Sequence, residues 1–267
     1  MNLMNDFKTI ELEIKGENGF AVIYFNRPNA RNAFNYELVS EFCECLRIIS
    51  RSPTIKCLII TGKGKVFSVG GDIKEFNIAN DPVDYMANLV SKLHEGIGLL
   101  KSMSFPIIAA INGACFGAAL GYISSCDLRY CKKEATFGAA FTGIGLSPDS
   151  STSFHLPKIV GLSLANEMIF LNRILTSEEA ESYGLVNHVI QEENFTSEIR
   201  KIASQVAQGP SNAYMLSKIL LQNSYSNRLD EHLEEEANYI KKCAGIFDFK
   251  EGISAFLKKR QPSFNKN

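Results

Sequence analysis

Three glycine-rich stretches of this 267-residue chain have the residue types and spacing to polarise a carbonyl group with backbone amides. The first is Phe67-Ser68-Val69-Gly70-Gly71-Asp72-Ile73-Lys74, where a short strand-like run meets paired glycines. The second is Ala109-Ala110-Ile111-Asn112-Gly113-Ala114-Cys115-Phe116-Gly117-Ala118-Ala119-Leu120-Gly121, an apolar strand pattern that turns straight into a helix of small residues. The third, Gly143-Ile144-Gly145-Leu146-Ser147-Pro148-Asp149-Ser150-Ser151-Thr152-Ser153, carries a carboxylate. Amides in the first turn of a helix have no intrahelical acceptor and sit at the positive end of its dipole. Small side chains there admit a ligand oxygen to the backbone. A bound carbonyl that gains negative charge is then stabilised by donors whose individual loss costs about 3 kcal/mol in the transition state. The plainer reading is that Gly117 and Gly121 allow close helix packing and that Gly70 and Gly71 form a turn. The occurrence of these stretches together, in this order, favours the chemical reading.

Asp149 is the carboxylate best placed to move a proton. An exposed Asp has a pKa of about 3.9, too low for an efficient base near neutral pH, so burial must raise it. Phe141, Ile144 and Leu146 are the expected apolar wall. The competing reading makes Asp149 an N-cap, because Pro-Asp-Ser-Ser at a helix start is what capping predicts. His94 falls on a helical segment and is a weaker candidate. His155, His188 and His232 belong to no evident constellation, and Cys115 has no basic partner in sequence, which leaves it a small core residue. Ser150 and Ser151 lack a nucleophile elbow, which argues against a serine hydrolase.

The elements that must position these residues follow from hydrophobic periodicity. Residues 7–14 and 20–25 alternate around Gly16, Glu17, Asn18 and Gly19, as in a β-hairpin. Apolar residues three and four apart predict a helix over 36–49, and the continuous apolar run 57–61 predicts a buried strand. A longer helix is expected over 81–103, a strand over 106–111, a short helix over 117–125, and strands over 128–131 and 136–137. Strands alternating with helices imply a mostly parallel sheet with its crossovers on the faces. After Ser163 the pattern is almost wholly helical, over 164–171, 177–182, 195–208, 211–222, 227–245 and 248–259. The expected organisation is one continuous unit, with a core over 1–200 and a C-terminal helical layer over 201–267.

Bulk composition narrows the partners. With 28 Lys plus Arg against 29 Asp plus Glu, the chain has no large field of one sign, and neither nucleic acid nor a membrane surface is an expected partner. No run approaches the roughly 18 apolar residues of a membrane span. The N-terminal residues 1–16 read as a first strand rather than a leader, and the chain ends without a sorting tripeptide. Seven scattered cysteines, without a CxxC pair or an adjoining His cluster, indicate a reducing cytoplasm and no metal site.

These motifs resemble the crotonase, or enoyl-CoA hydratase/isomerase, superfamily from residue 7 to 264. The match is carried by Asn26-Arg27-Pro28-Asn29-Ala30-Arg31-Asn32-Ala33-Phe34, the Phe67 to Lys74 loop, the run from Ala110 to Gly121, Cys126-Asp127-Leu128-Arg129, and Glu251-Gly252-Ile253-Ser254-Ala255-Phe256. The resemblance implies an α/β fold, a spiral of ββα units with a C-terminal α-helical layer. It implies a homotrimer or a dimer of trimers, with an acyl-CoA thioester as substrate and no separate cofactor. The family's oxyanion donors fall on the amides of Gly71 and Ala118. Its coenzyme A segments fall on Arg31, on Val69, Gly70, Asp72 and Ile73, and on Phe256 and Lys259. The two glutamates of the hydratases correspond to Gly121 and Phe141, neither of which transfers a proton. Asp149 is similar to the single acid of Δ3,Δ2-enoyl-CoA isomerases, which implies proton transfer through an oxyanion-stabilised dienolate. Hydration by another carboxylate, a 4-chlorobenzoyl-CoA dehalogenase-like reaction using His94, and acyl-CoA binding without catalysis are the alternatives. The dehalogenases have a Trp at the position of Phe141, and this chain has no Trp.

Overall fold

The computed structural model describes residues 7–16 and 19–266. The expected turn at Glu17 and Asn18, and the start of the N-terminal strand pattern over 1–6, lie outside the described residues. In chain order the regular elements are β1 (Ile10–Lys15), β2 (Phe20–Phe25), α1 (Tyr36–Ser50), β3 (Cys57–Gly62), α2 (Ile73–Ile78), α3 (Pro82–Ser102), β4 (Ile107–Ile111), β5 (Cys115–Phe116), α4 (Ala118–Ser124), β6 (Leu128–Lys132) and β7 (Thr136–Gly138). There follow α5 (Thr152–Val160), α6 (Leu162–Phe170), β8 (Leu175–Thr176), α7 (Ser177–Ser182), β9 (His188–Ile190), α8 (Phe195–Ala207), α9 (Ser211–Asn223), α10 (Leu229–Ala244) and α11 (Phe247–Leu257).

A six-stranded sheet has the order β1-β2-β3-β4-β6-β9, antiparallel at the β1–β2 hairpin and parallel elsewhere. A second, three-stranded sheet has the order β5-β7-β8. The period-two alternation of a strand explains why both faces of the large sheet are dry. On β2, β3 and β4 the residues Ala21, Ile23, Phe25, Leu58, Ile60, Ile107, Ala109 and Ile111 enter the main core under α1 and α3. Their alternates Phe20, Val22, Cys57, Ile59, Ile108 and Ala110 meet Ile199, Ala203 and Ala207 of α8 on the other face. Helix α8 runs unbroken from Phe195 to Ala207 and packs on this second face of the sheet.

The centre of the main core is aromatic. The Phe25 ring lies 5.0 Å from Phe34, 5.6 Å from Phe42 and 5.5 Å from Phe67, centroid to centroid. Phe34 and Phe42 in turn contact Tyr122 of α4. Because Phe25 touches aromatic residues from three separate segments, Phe25→Ala is expected to cost about 3–5 kcal/mol, read from the midpoint of urea unfolding.

Candidate active site

The loops that follow β2, β3 and β4 leave the same end of the sheet and are tied together by two asparagines. Asn112 Oδ1 accepts from Gly62 N at 3.1 Å, and its Nδ2 donates to Gly64 O at 3.0 Å. Asn32 Nδ2 donates to Lys63 O at 3.0 Å and to Val66 O at 2.7 Å, while its Oδ1 accepts from Arg27 N at 2.9 Å. Main-chain bonds then lace the loops: Ser68 N to Ala114 O at 3.1 Å, Phe116 N to Ser68 O at 3.0 Å, Phe34 N to Gly70 O at 2.7 Å and Asp72 N to Phe34 O at 3.0 Å. Gly70 N donates to Ser68 Oγ, and Gly117 N donates to Gly138 O. The amides of Gly71 and Ala118 have no acceptor among the described residues. The loops meet at Gly70, whose φ is +83°. A Cβ there would stand 2.7 Å from Phe116 O and 3.2 Å from Ala118 N, so only glycine permits both the turn and the approach.

Asp149 lies just before α5, which starts at Thr152 with Ser151 as its N-cap residue. The carboxylate caps nothing: Thr152 N bonds to the main-chain oxygen of Asp149 at 2.8 Å, and the side-chain Oδ1 is buried with no partner among the described residues. The capping alternative is thereby overturned. Ser150 and Ser151 both adopt left-handed backbone, with φ of 48° and 64°, a turn that carries the chain into α5. Burial pushes the Asp149 carboxyl above the usual carboxylate range, offset in part by Ser150 and by the charge of His94. His94 is exposed on α3, which Tyr122 fastens to α4 by donating its hydroxyl to Leu93 O at 3.0 Å.

The position that matches a hydratase glutamate is closed. A Cβ on Gly121 would stand 2.1 Å from Ser150 O and 2.7 Å from Thr152 Oγ1. The main chain that follows Asp149 occupies the space a side chain at 121 would need. Gly121→Ala is accordingly expected to cost about 1–3 kcal/mol by overpacking. It should also displace the Asp149 turn, so catalytic activity should fall by more than the loss of folded protein, as measured by kinetics on the folded fraction.

The other residues singled out in the sequence are only partly gathered here. Phe141 is buried and its carbonyl accepts from Leu146 N, Leu146 packs on the core and Ile144 stays half exposed. Arg31 is exposed with φ 52°, accepts from Val69 N through its carbonyl, and makes no ion pair among the described residues. Ile73 is exposed on the same loop. The Asp72 carboxylate is turned inward, paired with Arg27 Nη1 at 2.9 Å and capping α2 through Lys74 N. Phe256 is 84% exposed and Lys259 follows it at the end of α11, which packs on α10; within one chain neither is brought to the glycine loops. Sequence reasoning missed α2, and with it Phe76. A Cβ on Gly71 would stand 2.4 Å from Phe76 Cζ, and Tyr85 packs edge-on to Phe76 at 5.8 Å. The available signal was Asp72 as an N-cap four residues before an aromatic. His155, without a partner in sequence, is joined in space to Ser151 and Ser125. Cys115 is fully buried, which holds its thiol protonated and inert.

The family model described as enoyl-CoA hydratase/isomerase matches residues 15–267. The chain is 34% identical over 254 residues to 4-chlorobenzoyl coenzyme A dehalogenase-2 of Arthrobacter sp., covering 94% of this chain and 92% of that protein. It is 30% identical to the 1,2-epoxyphenylacetyl-CoA isomerase of Escherichia coli strain K12, with 93% and 95% covered. Among solved structures, an enoyl-CoA hydratase from Bacillus anthracis superposes with a TM-score of 0.90 at 26% identity, over 96% of this chain and 99% of that one. Matched along almost its whole length in sequence and in fold, the chain belongs to the enoyl-CoA hydratase/isomerase family of acyl-CoA enzymes, the crotonase superfamily.

Proposed function

We propose that the protein isomerises 3-enoyl-CoA to 2-enoyl-CoA, with Asp149 as the single base. The carrying observation is a buried carboxylate oxygen without a partner among the described residues, together with Gly71 and Ala118 amides that have no acceptor among them. Asp149 takes a proton from C2, and the C–H pair forms a C1–C2 double bond as the carbonyl pair moves onto the thioester oxygen, giving a dienolate conjugated with C3–C4. That oxygen rests on the amides of Gly71 and Ala118, and the same carboxyl group returns the proton at C4, leaving the double bond between C2 and C3. Phe76, Tyr85, Phe141 and Leu146 supply the apolar surroundings of the acyl group. Arg31 and the loop of Val69, Gly70, Asp72 and Ile73 face the coenzyme A portion, which is part of the substrate; no further cofactor is needed.

Phe256 and Lys259 contribute across a contact between copies in a homotrimer or a dimer of trimers. In support, Leu229, Leu233, Ile240, Phe247, Ile253 and Phe256 of the C-terminal helices are all exposed apolar residues in one chain. The free cysteines fit a cytoplasmic setting. Incubation with 3-enoyl-CoA should give the absorbance of the conjugated thioester; no such conversion at any chain length would refute the proposal.

A second reading is favoured by the placing of His94 within electrostatic reach of Asp149 and by the 34% identical dehalogenase. In it, an Asp149 oxygen attacks the halogen-bearing ring carbon of an aromatic acyl-CoA, and chloride leaves with its bonding pair. Water, giving its proton to His94 in its neutral form, then hydrolyses the aryl ester. Chloride release from 4-chlorobenzoyl-CoA separates the two. Hydration of crotonyl-CoA is expected to be slow, because position 121 has no room for the second carboxylate.

A further inference from the structure

A cavity of about 650 Å³ opens at the end of α4 remote from Ala118. Its wall includes Ser124 at the last turn of α4, with Pro106 and Leu128 where β4 and β6 begin. The glycine loops lie at the opposite ends of the strands, and a seven-residue helix separates the two places by about 10 Å. The cavity is therefore distinct from the acyl-CoA site, and none of Gly71, Ala118, Phe141 or Asp149 lines it.

Its charge is unusual for a chain with a net charge of −1. Lys101, Arg129, Lys158 and Lys218 line it against a single carboxylate, Asp127. Two of these cations are already engaged. Lys218 Nζ donates to Asp127 Oδ2 at 2.8 Å and to Phe105 O at 3.1 Å, and Arg129 donates to Leu185 O and Cys126 O. Asp127 is engaged as well, since its Oδ2 also accepts from Ile107 N at 2.8 Å. Lys101 and Lys158 have no ion pair or hydrogen bond among the described residues. Lys158 is nonetheless held in place, with its Nζ 3.3 Å over the Phe154 ring and 5.2 Å from that of Tyr225. Gln222, also on the wall, has a buried side-chain nitrogen without an acceptor. Two uncompensated ammonium groups and an orphaned amide donor call for an anion. Beside Ser124, His155, Tyr214 and Ser217, the rest of the wall includes Leu128, Ile159, Val206, Leu221 and Tyr225, an apolar stretch that calls for hydrocarbon.

We propose that this cavity is a second ligand site that takes an aliphatic carboxylic acid, with the carboxylate held by Lys101, Lys158 and Gln222 and the chain laid on the apolar wall. An inorganic anion satisfies only the cations and leaves most of the volume empty, whereas a neutral alcohol leaves both ammonium groups unpaired.

Calorimetric titration of the full-length protein with octanoate tests this, with 1-octanol and inorganic phosphate as comparison ligands. Octanoate is expected to bind at least about tenfold more tightly than either comparison ligand, a difference of about 1.4 kcal/mol or more. The same loss is expected in Lys158→Gln and, independently, in Leu221→Asp, whose side chain is 73% exposed and whose replacement leaves the fold intact. A saturating, unreactive acyl-CoA thioether should leave octanoate affinity unchanged. Undetectable octanoate binding, equal affinity in both variants, displacement by the thioether, phosphate binding as tight as octanoate, or another copy of the chain filling the cavity in the assembled protein would each overturn the proposal.

Discussion

Asp149→Asn is expected to lower kcat for proton transfer by about 10²–10⁴-fold, with little change in KM, because a positioned general base contributes that much to the rate and little to ground-state binding. The same substitution should raise thermal stability at neutral pH. Burial holds the Asp149 carboxyl above the ordinary carboxylate range in the folded chain. Between the unfolded value and the raised folded value, the folded state keeps a proton that the unfolded state has lost. Stability therefore falls as pH rises through that window, and the cost is complete once pH exceeds the folded pKa. Below the unfolded value the cost is absent. Asn never ionises, so the variant should unfold at a higher temperature than the native chain at pH 7, and this advantage should vanish near pH 4. Activity has the opposite dependence on ionisation: kcat/KM should climb with pH through the same raised pKa, and the variant should lose that limb. Thermal unfolding at the two pH values, with a pH–rate profile, checks both halves. Native-like kcat in the variant would remove Asp149 from the chemistry, and an unchanged melting temperature at pH 7 would mean that its burial carries no energetic cost.

The glycine loops were legible in the sequence because close approach of two backbones restricts residue type severely. Gly70 and Gly117 admit no ordinary substitute where one loop touches the other, and such positions mark themselves. Helices α1 and α3 were legible for a different reason, since each buries one stripe of side chains and writes a 3.6-residue period. By contrast, α2 has six residues and no buried side chain, so it leaves no periodic trace, and Phe76 beside Gly71 was invisible with it. The Asp149 turn was ambiguous because local chemistry and tertiary packing disagree there. Pro-Asp-Ser-Ser is good capping sequence, but Ser150 and Ser151 are both left-handed, a conformation that serine seldom takes. What fixes the turn is contact of the Ser150 main chain with Gly121, nearly thirty positions earlier in the chain. The absent glutamate and the present aspartate are thus two sides of one packing arrangement: a bare glycine at 121 admits the turn that buries the carboxylate. Phe256 and Lys259 remained unplaced because one chain by itself leaves them in solvent.

Ala118→Pro should reduce kcat/KM by about 10²–10³-fold, equivalent to about 2.7–4 kcal/mol of lost transition-state stabilisation, while leaving the fold close to native. The separation of these two effects follows from where the residue sits. Ala118 is the first residue of α4, the position at which proline is best tolerated because its missing N–H has no intrahelical acceptor. In this chain that N–H has no acceptor of any kind among the described residues, so no internal hydrogen bond is lost. The preceding residue is Gly117 at φ 56° and ψ −131°, the mirror image of the extended conformation that a following proline requires. Lacking a Cβ, Gly117 can hold that geometry beside the pyrrolidine ring. What proline does remove is one of the two donors proposed to hold the thioester oxygen as it gains charge, and its ring puts carbon where the oxygen would rest. Ala118→Gly keeps the N–H and is expected to retain the greater part of the activity, which separates the amide from the side chain. A proline variant that folds with a native unfolding midpoint and turns over acyl-CoA at the native rate would show that the charge on the thioester oxygen is held elsewhere.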